Sequence, residues 1–206
     1  MRDSFTNALD YIKVKCTYEM ARLTVISTHL SSWIAMECLP RNGLRRRKRK
    51  FIRLSKRHMY SYIVGVNEFH NPGVLRVKQG TFMKTVMSQL RSQWTEFEQT
   101  GHIRKKFTAY STQDWLILAF LHSLGCGESV LGRTVPNYNA LIIIELYVRN
   151  KEPVIKLLYK DNEMKTPKEA VQHVRNCKSS PCHLEEFTSC CSEYESENPT
   201  ETCAVG

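Results

Sequence analysis

The chain has 206 residues and a mass of 24.0 kDa, which by the usual domain size of roughly 100 to 200 residues fits one domain, or a domain plus a cap, better than two full domains. With 42% hydrophobic, 10% aromatic and 24% charged residues it falls in the globular range, which excludes wholesale disorder and a fibrous repeat. Mean hydropathy is −0.39, and the longest apolar stretches, 115–121 and 140–144, are far shorter than the roughly 18 to 20 residues that cross a bilayer, so no membrane span is expected.

The formal net charge of +10 is concentrated in 41–57, which holds Arg41, Arg45, Arg46, Arg47, Lys48, Arg49, Lys50, Arg53, Lys56 and Arg57 and no acid. From Cys177 onward the balance reverses, with Glu185, Glu186, Glu193, Glu195, Glu197 and Glu201 against Lys178. A uniform polyanion-binding surface is therefore not indicated. Arg45, Arg46, Arg47, Lys48, Arg49 and Lys50 still offer a local contact to nucleic acid or another polyanion through counterion release. Only Phe51 interleaves them, so no platform for stacking bases is present. A solvated surface segment and a processing or import signal are the competing readings of the same run.

In chain order, Phe5 to Lys15 and Met20 to Cys38 carry apolar residues at helix-like intervals mixed with β-branched ones and are read as helical. Ile52 to Ile63 continues as helix after the basic run. The stretch from Gly65 and Val66 to Asn71, Pro72 and Gly73 is read as a loop. Val74, Val77, Phe82, Val86, Leu90, Trp94 and Phe97 recur at threes, fours and fives, which predicts an amphipathic helix ended by Gly101. Lys106 to Tyr110 predicts a short strand, Ser111, Thr112 and Gln113 a turn with a Ser/Thr helix cap, and Asp114 to Leu124 an apolar helix stopped by Gly125. Such a strand, tight loop and helix place Gln113 and Asp114 at the carboxyl edge of an α/β sheet, where a helix N-terminus favours an anion.

A loop containing Gly125, Gly127, Gly132 and Pro136 follows, then two segments, Ala140 to Val148 and Val154 to Lys160, joined by Arg149, Asn150, Lys151 and Glu152 as a β-hairpin. Leu141 to Ile144 is too apolar for a strand with one wet face and belongs inside the sheet, with Lys156 and Lys160 edging its partner. The tail is a cysteine-rich loop: five of the 8 cysteines, Cys177, Cys182, Cys190, Cys191 and Cys203, fall in the last thirty residues. That density is typical of an oxidising compartment. The first residues lack an apolar h-region and a cleavage site, which reads as cytoplasmic if the chain is complete. Cys and His in the tail do not fit a common zinc spacing, so no metal site and no cofactor are expected.

Four places in order, the Gly80-centred helix start through Leu90, Tyr110-Ser111-Thr112-Gln113-Asp114, Tyr138 to Tyr147, and Asn176-Cys177 to Cys182-His183-Leu184-Glu185-Glu186-Phe187 with the late Thr202-Cys203, resemble the C-terminal portion of the histidine acid phosphatases. The resemblance divides the chain into a poorly matched helical and basic segment, 1–59, and the C-terminal part of such a domain, 60–206, with a cysteine-rich tail. It implies an α/β fold with a mixed sheet and flanking helices, lacking the N-terminal part of the family domain. It also implies hydrolysis of a phosphomonoester at acid pH and an extracellular or lysosomal location.

In that family a histidine in an Arg-His-Gly motif attacks phosphorus, arginines hold the phosphoryl oxygens, and a His-Asp pair holds phosphate and protonates the leaving alcohol. By the resemblance, Asp114 stands at the general-acid position and Gln113 replaces the phosphate-holding histidine, giving a donor without the positive charge. The Arg-His-Gly motif does not occur, and Arg57-His58 continues as Met59-Tyr60-Ser61 without the glycine or second arginine that the motif needs. The reading is an acid phosphatase-like protein, truncated and catalytically impaired, with a non-enzymatic polyanion-binding protein as the alternative. The resemblance further implies a small disulfide loop from Cys177 to Cys182 and a bridge from Cys203 to a distant cysteine, while Leu141 occupies another family cysteine position.

Overall fold

The computed structural model describes residues 57–132 and 134–198, together with the backbone of one earlier strand, Arg22–Thr28. The proposed helix at Phe5 to Lys15, the basic run apart from Arg57, and Cys203 lie outside the described residues. Six strands, β1 (Arg22–Thr28), β2 (Phe107–Thr112), β3 (Leu141–Arg149), β4 (Glu152–Lys160), β5 (Lys168–Glu169) and β6 (Cys182–His183), form one sheet in the order β2-β1-β3-β4-β5, with β6 also on β4. β1 and β2 run parallel, and every other pairing is antiparallel. The helices are α1, described over 57–64, α2 (Pro72–Thr100), α3 (Asp114–Ser123), α4 (Gly127–Leu131) and α5 (Leu184–Ser189). The α/β class expected from the sequence holds.

The helical reading of Met20 to Cys38 is corrected by β1. Thr24, Val25, Ile26 and Thr28 are β-branched, and the strand is paired on both sides, by β2 and β3. A strand in the interior of a sheet need not alternate apolar with polar residues, and the three-residue interval from Leu23 to Ile26 imitates helical spacing. β3 is interior too, between β1 and β4, and Ile142, Ile143 and Ile144 are all buried. The hairpin turn is as expected: Asn150 and Lys151 both have positive φ, 54° and 68°, the geometry of a two-residue turn that matches strand twist. β4 is not the bare edge that Lys156 and Lys160 suggested, because β5 pairs at Leu158 and Tyr159 and β6 at Val154 and Ile155.

Helix α2 begins where its sequence permits. The Asn71 side chain accepts from the Val74 N–H at 3.1 Å, and Pro72 occupies the first helical position, so Pro72 and Gly73 open the helix rather than extend the loop. Gly101, in the left-handed region at φ 71°, ends it, as expected. The buried positions Leu75, Gln79, Met83, Val86, Met87 and Leu90 recur at threes and fours and face α3, whose Ile117 to Leu121 are all buried. At roughly 1.5–3 kcal/mol for each fully buried large apolar side chain, this cluster and the inward side chains of β3 and β4 anchor the domain.

Two smaller corrections concern loops. The glycine-containing loop after α3 holds α4, and the cysteine-rich tail folds as β6, α5 and a 3-10 turn, Ser192–Tyr194. The structure joins Cys177 to Cys182 and also joins the adjacent pair Cys190 and Cys191, for which the sequence offers no partner rule.

Candidate functional site

Gln113 and Asp114 lie at the junction the sequence suggested. β2 ends at Thr112, Gln113 is the extended residue capping α3, at φ −109° and ψ 160°, and Asp114 is the first residue of the helix. The parallel register pairs Thr28 with Thr112, so the carboxyl ends of β1 and β2 meet at this one edge of the sheet. The expected Ser/Thr cap is corrected. Ser111 and Thr112 are strand residues, consumed in pairing with Ser27 and Thr28, and Gln113 takes the cap position without a side-chain cap hydrogen bond.

β2 is held against α2 by polar contacts as well as apolar ones. The Tyr110 hydroxyl donates to Gln89 Oε1 at 2.5 Å, and the same amide donates through Nε2 to Thr108 Oγ1 at 2.6 Å. One glutamine side chain thereby uses its acceptor and a donor on two residues of one strand face. Phe82 packs edge-on to Tyr110 and Phe120, with ring centroids 5.2 and 5.7 Å away, and completes the join of α2, β2 and α3 beneath the site.

Asp114 is 7% exposed, and both carboxyl oxygens accept hydrogen bonds. Oδ1 accepts from the Trp115 N–H at 2.9 Å, and Oδ2 accepts from the Tyr60 hydroxyl at 3.0 Å. Tyr60 comes from α1, so the first turn of α3 is tied to a helix far earlier in the chain. Its phenol is raised to about 12 by burial first, then by the charge of Asp114 and the hydrogen bond to it. Neighbouring Trp115 donates its indole N–H to Gln113 Oε1, and Lys78 of α2 sits with Nζ 6.0 Å from the Trp115 ring centroid.

The helix N-terminus is less open to an anion than the sequence suggested. Trp115 N–H is taken by Asp114, and Leu116 N–H bonds back to the Gln113 carbonyl at 3.0 Å. His58, weighed as a nucleophile, makes its contacts elsewhere: its Nδ1 lies 3.1 Å from Glu68 Oε1, and its ring packs on Phe69. Among the described residues the free thiol is Cys126, buried, and burial pushes it up to about 12, which disables it as a thiolate nucleophile. Among the described residues no three His, Cys, Asp or Glu side chains converge as a metal site.

Sequence reasoning found Gln113 and Asp114 but missed Tyr60, Trp115 and Lys78. Trp115 is adjacent to the motif and was within reach of inspection. Nothing in the sequence around Tyr60 or Lys78 marks either as a neighbour of residues 113–115.

A buried carboxyl and an exposed amide thus stand side by side at the carboxyl edge of an α/β sheet. No family model matches the chain. It is 31% identical to a protein of Caenorhabditis elegans and 33% identical to one of Caenorhabditis briggsae, each named "Putative acid phosphatase 1", over 67% of this chain. The chain is thus acid phosphatase-like in sequence over two thirds of its length. It spans about a third of the length of these relatives, 34% of each.

Proposed function

We propose that the chain is the later part of a histidine acid phosphatase-like domain, with a phosphomonoester or phosphate site at Gln113 and Asp114 and impaired turnover. The observation that carries this reading is the placement of Asp114: buried, opening α3 at the carboxyl end of β2, and fixed through both oxygens. In this arrangement Gln113 donates from its amide to a phosphoryl oxygen, and Asp114 stands where a leaving alcohol takes its proton. Gln113 brings no positive charge, and no Arg-His-Gly occurs to supply a family-type nucleophile. The disulfides Cys177–Cys182 and Cys190–Cys191 support an oxidising, extracellular or lysosomal setting.

The test is hydrolysis of p-nitrophenyl phosphate from pH 4 to 7. The wild-type chain is expected to turn over no faster than Asp114→Asn. Robust acid-pH turnover that is lost in Asp114→Asn would overturn the impairment. Loss of that turnover in a histidine variant as well would identify the nucleophile. The histidines to replace are His58 and His29, the residue that follows Thr28 in the sequence and lies outside the described residues.

A further inference from the structure

An indole N–H can only donate, so the side-chain oxygen of Gln113 must be the atom facing Trp115 Nε1. The amide NH2 of Gln113 is thereby turned away with two donors, and among the described residues no acceptor meets it. Without Trp115 the amide would be free to present its oxygen, which repels a phosphate. Trp115 also stands against a cation: Lys78 Nζ lies 6.0 Å from its ring centroid. Among the described residues no carboxylate pairs with Lys78. Lys78 also lines a groove at the start of α2 with Asn71, Gly73, Val74 and Val77.

We infer that Trp115 is a positioning residue that makes Gln113 a donor toward oxyanions, and that Lys78 supplies the positive charge glutamine lacks, so that Gln113 and Lys78 together bind the phosphoryl oxygens of a phosphomonoester. The inference rests on the reading of Gln113 and Asp114 as a phosphate site. It divides the binding among three side chains on two helices. Gln113 gives neutral, oriented N–H groups and Lys78 a point charge on a flexible stem, while the indole fixes the first and supports the second through its face. With the Trp115 and Leu116 amides already engaged, the side chains must provide these donors.

The experiment is calorimetric titration of the full chain with inorganic phosphate and with orthovanadate, on wild type, Trp115→Phe, Lys78→Gln and a charge control, Lys156→Gln on β4. Trp115→Phe keeps an aromatic ring but removes the donor, and exposed Lys78 is replaced without disturbing the core. Trp115→Phe and Lys78→Gln are each expected to bind about tenfold more weakly, the scale of one hydrogen bond to a charged group, with Lys156→Gln as tight as wild type. Wild-type affinity in Trp115→Phe and Lys78→Gln would overturn the inference and leave the phosphate site standing. Equal weakening by Lys156→Gln would overturn it in favour of general surface charge. No oxyanion binding by wild type would remove the site itself.

Discussion

A phenol and a carboxyl 54 residues apart in the chain meet at 3.0 Å, and the contact ties α1 to the first turn of α3. The partly buried phenol is kept protonated by its surroundings and stays a donor well above neutral pH. Because its folded value is raised above the usual 10.0, its contribution to stability is complete below the unfolded value and is lost as pH rises through about 12. Asp114→Asn removes the charge but not the burial. The Tyr60 titration is therefore expected to move down from about 12 without reaching 10.0. Carbon-13 NMR of tyrosine rings, with the Tyr60 signal assigned by its loss in Tyr60→Phe, reads the midpoint directly. An unmoved midpoint would show that the two groups do not interact in solution. The difference in legibility between the partners is physical. Asp114 is marked by a local change from strand to helix, whereas a phenol reaching a carboxyl from another helix depends on tertiary packing, which local periodicity does not encode.

Among the elements, those with their own start and stop chemistry were legible. α2 has Asn71, Pro72 and Gly101, α3 has Gly125 behind it, and the β3–β4 hairpin has Asn150 and Lys151 at its turn. β1 was not, because its apolar residues, Leu23, Val25 and Ile26, fit a helix or a strand alike and only the pairing with β2 and β3 decides between them. The tail was read as loop because β6, α5 and the 3-10 turn are too short for a period to show. They are held by docking, most closely at Gly80, where a Cβ would come within 2.7 Å of the Tyr194 carbonyl oxygen and 2.9 Å of the Ser196 nitrogen. Both are backbone atoms and cannot swing aside. Gly80→Ala should therefore push the Ser192–Tyr194 turn off α2 and destabilise the protein by about 1–3 kcal/mol, despite the better helix propensity of alanine. Chemical denaturation measures this, and an unchanged or raised midpoint would mean that the turn does not sit on α2. The same crowding gives a physical reason for glycine at a position where the resemblance to acid phosphatases sees only a motif.

At the scale of the whole molecule, acid is the condition that sets fold against proposed function. His122, in the last turn of α3, is brought down to about 4, first by burial and then by the nearby positive groups His70 and Arg57. Its ring is partly buried and packs over Gly127, where a Cβ would come within 2.5 Å of Cδ2. The folded value lies below the unfolded 6.5. The stabilisation from a neutral His122 is therefore present above about pH 6.5 and is lost as pH falls through about 4. Thermal unfolding followed from pH 7.5 to 4 is expected to show a steeper loss in wild type than in His122→Gln. The carboxylates are common to both proteins, so the difference between the curves isolates the imidazole. Parallel curves would show that His122 gains its proton in the fold as readily as in the unfolded chain. A steeper wild-type loss would mean that, in the pH range where acid phosphatase chemistry is proposed to run, this core works against its own stability. A bound phosphoryl group at Gln113 and Asp114 would then offset part of that loss, by an amount set by its concentration relative to its dissociation constant.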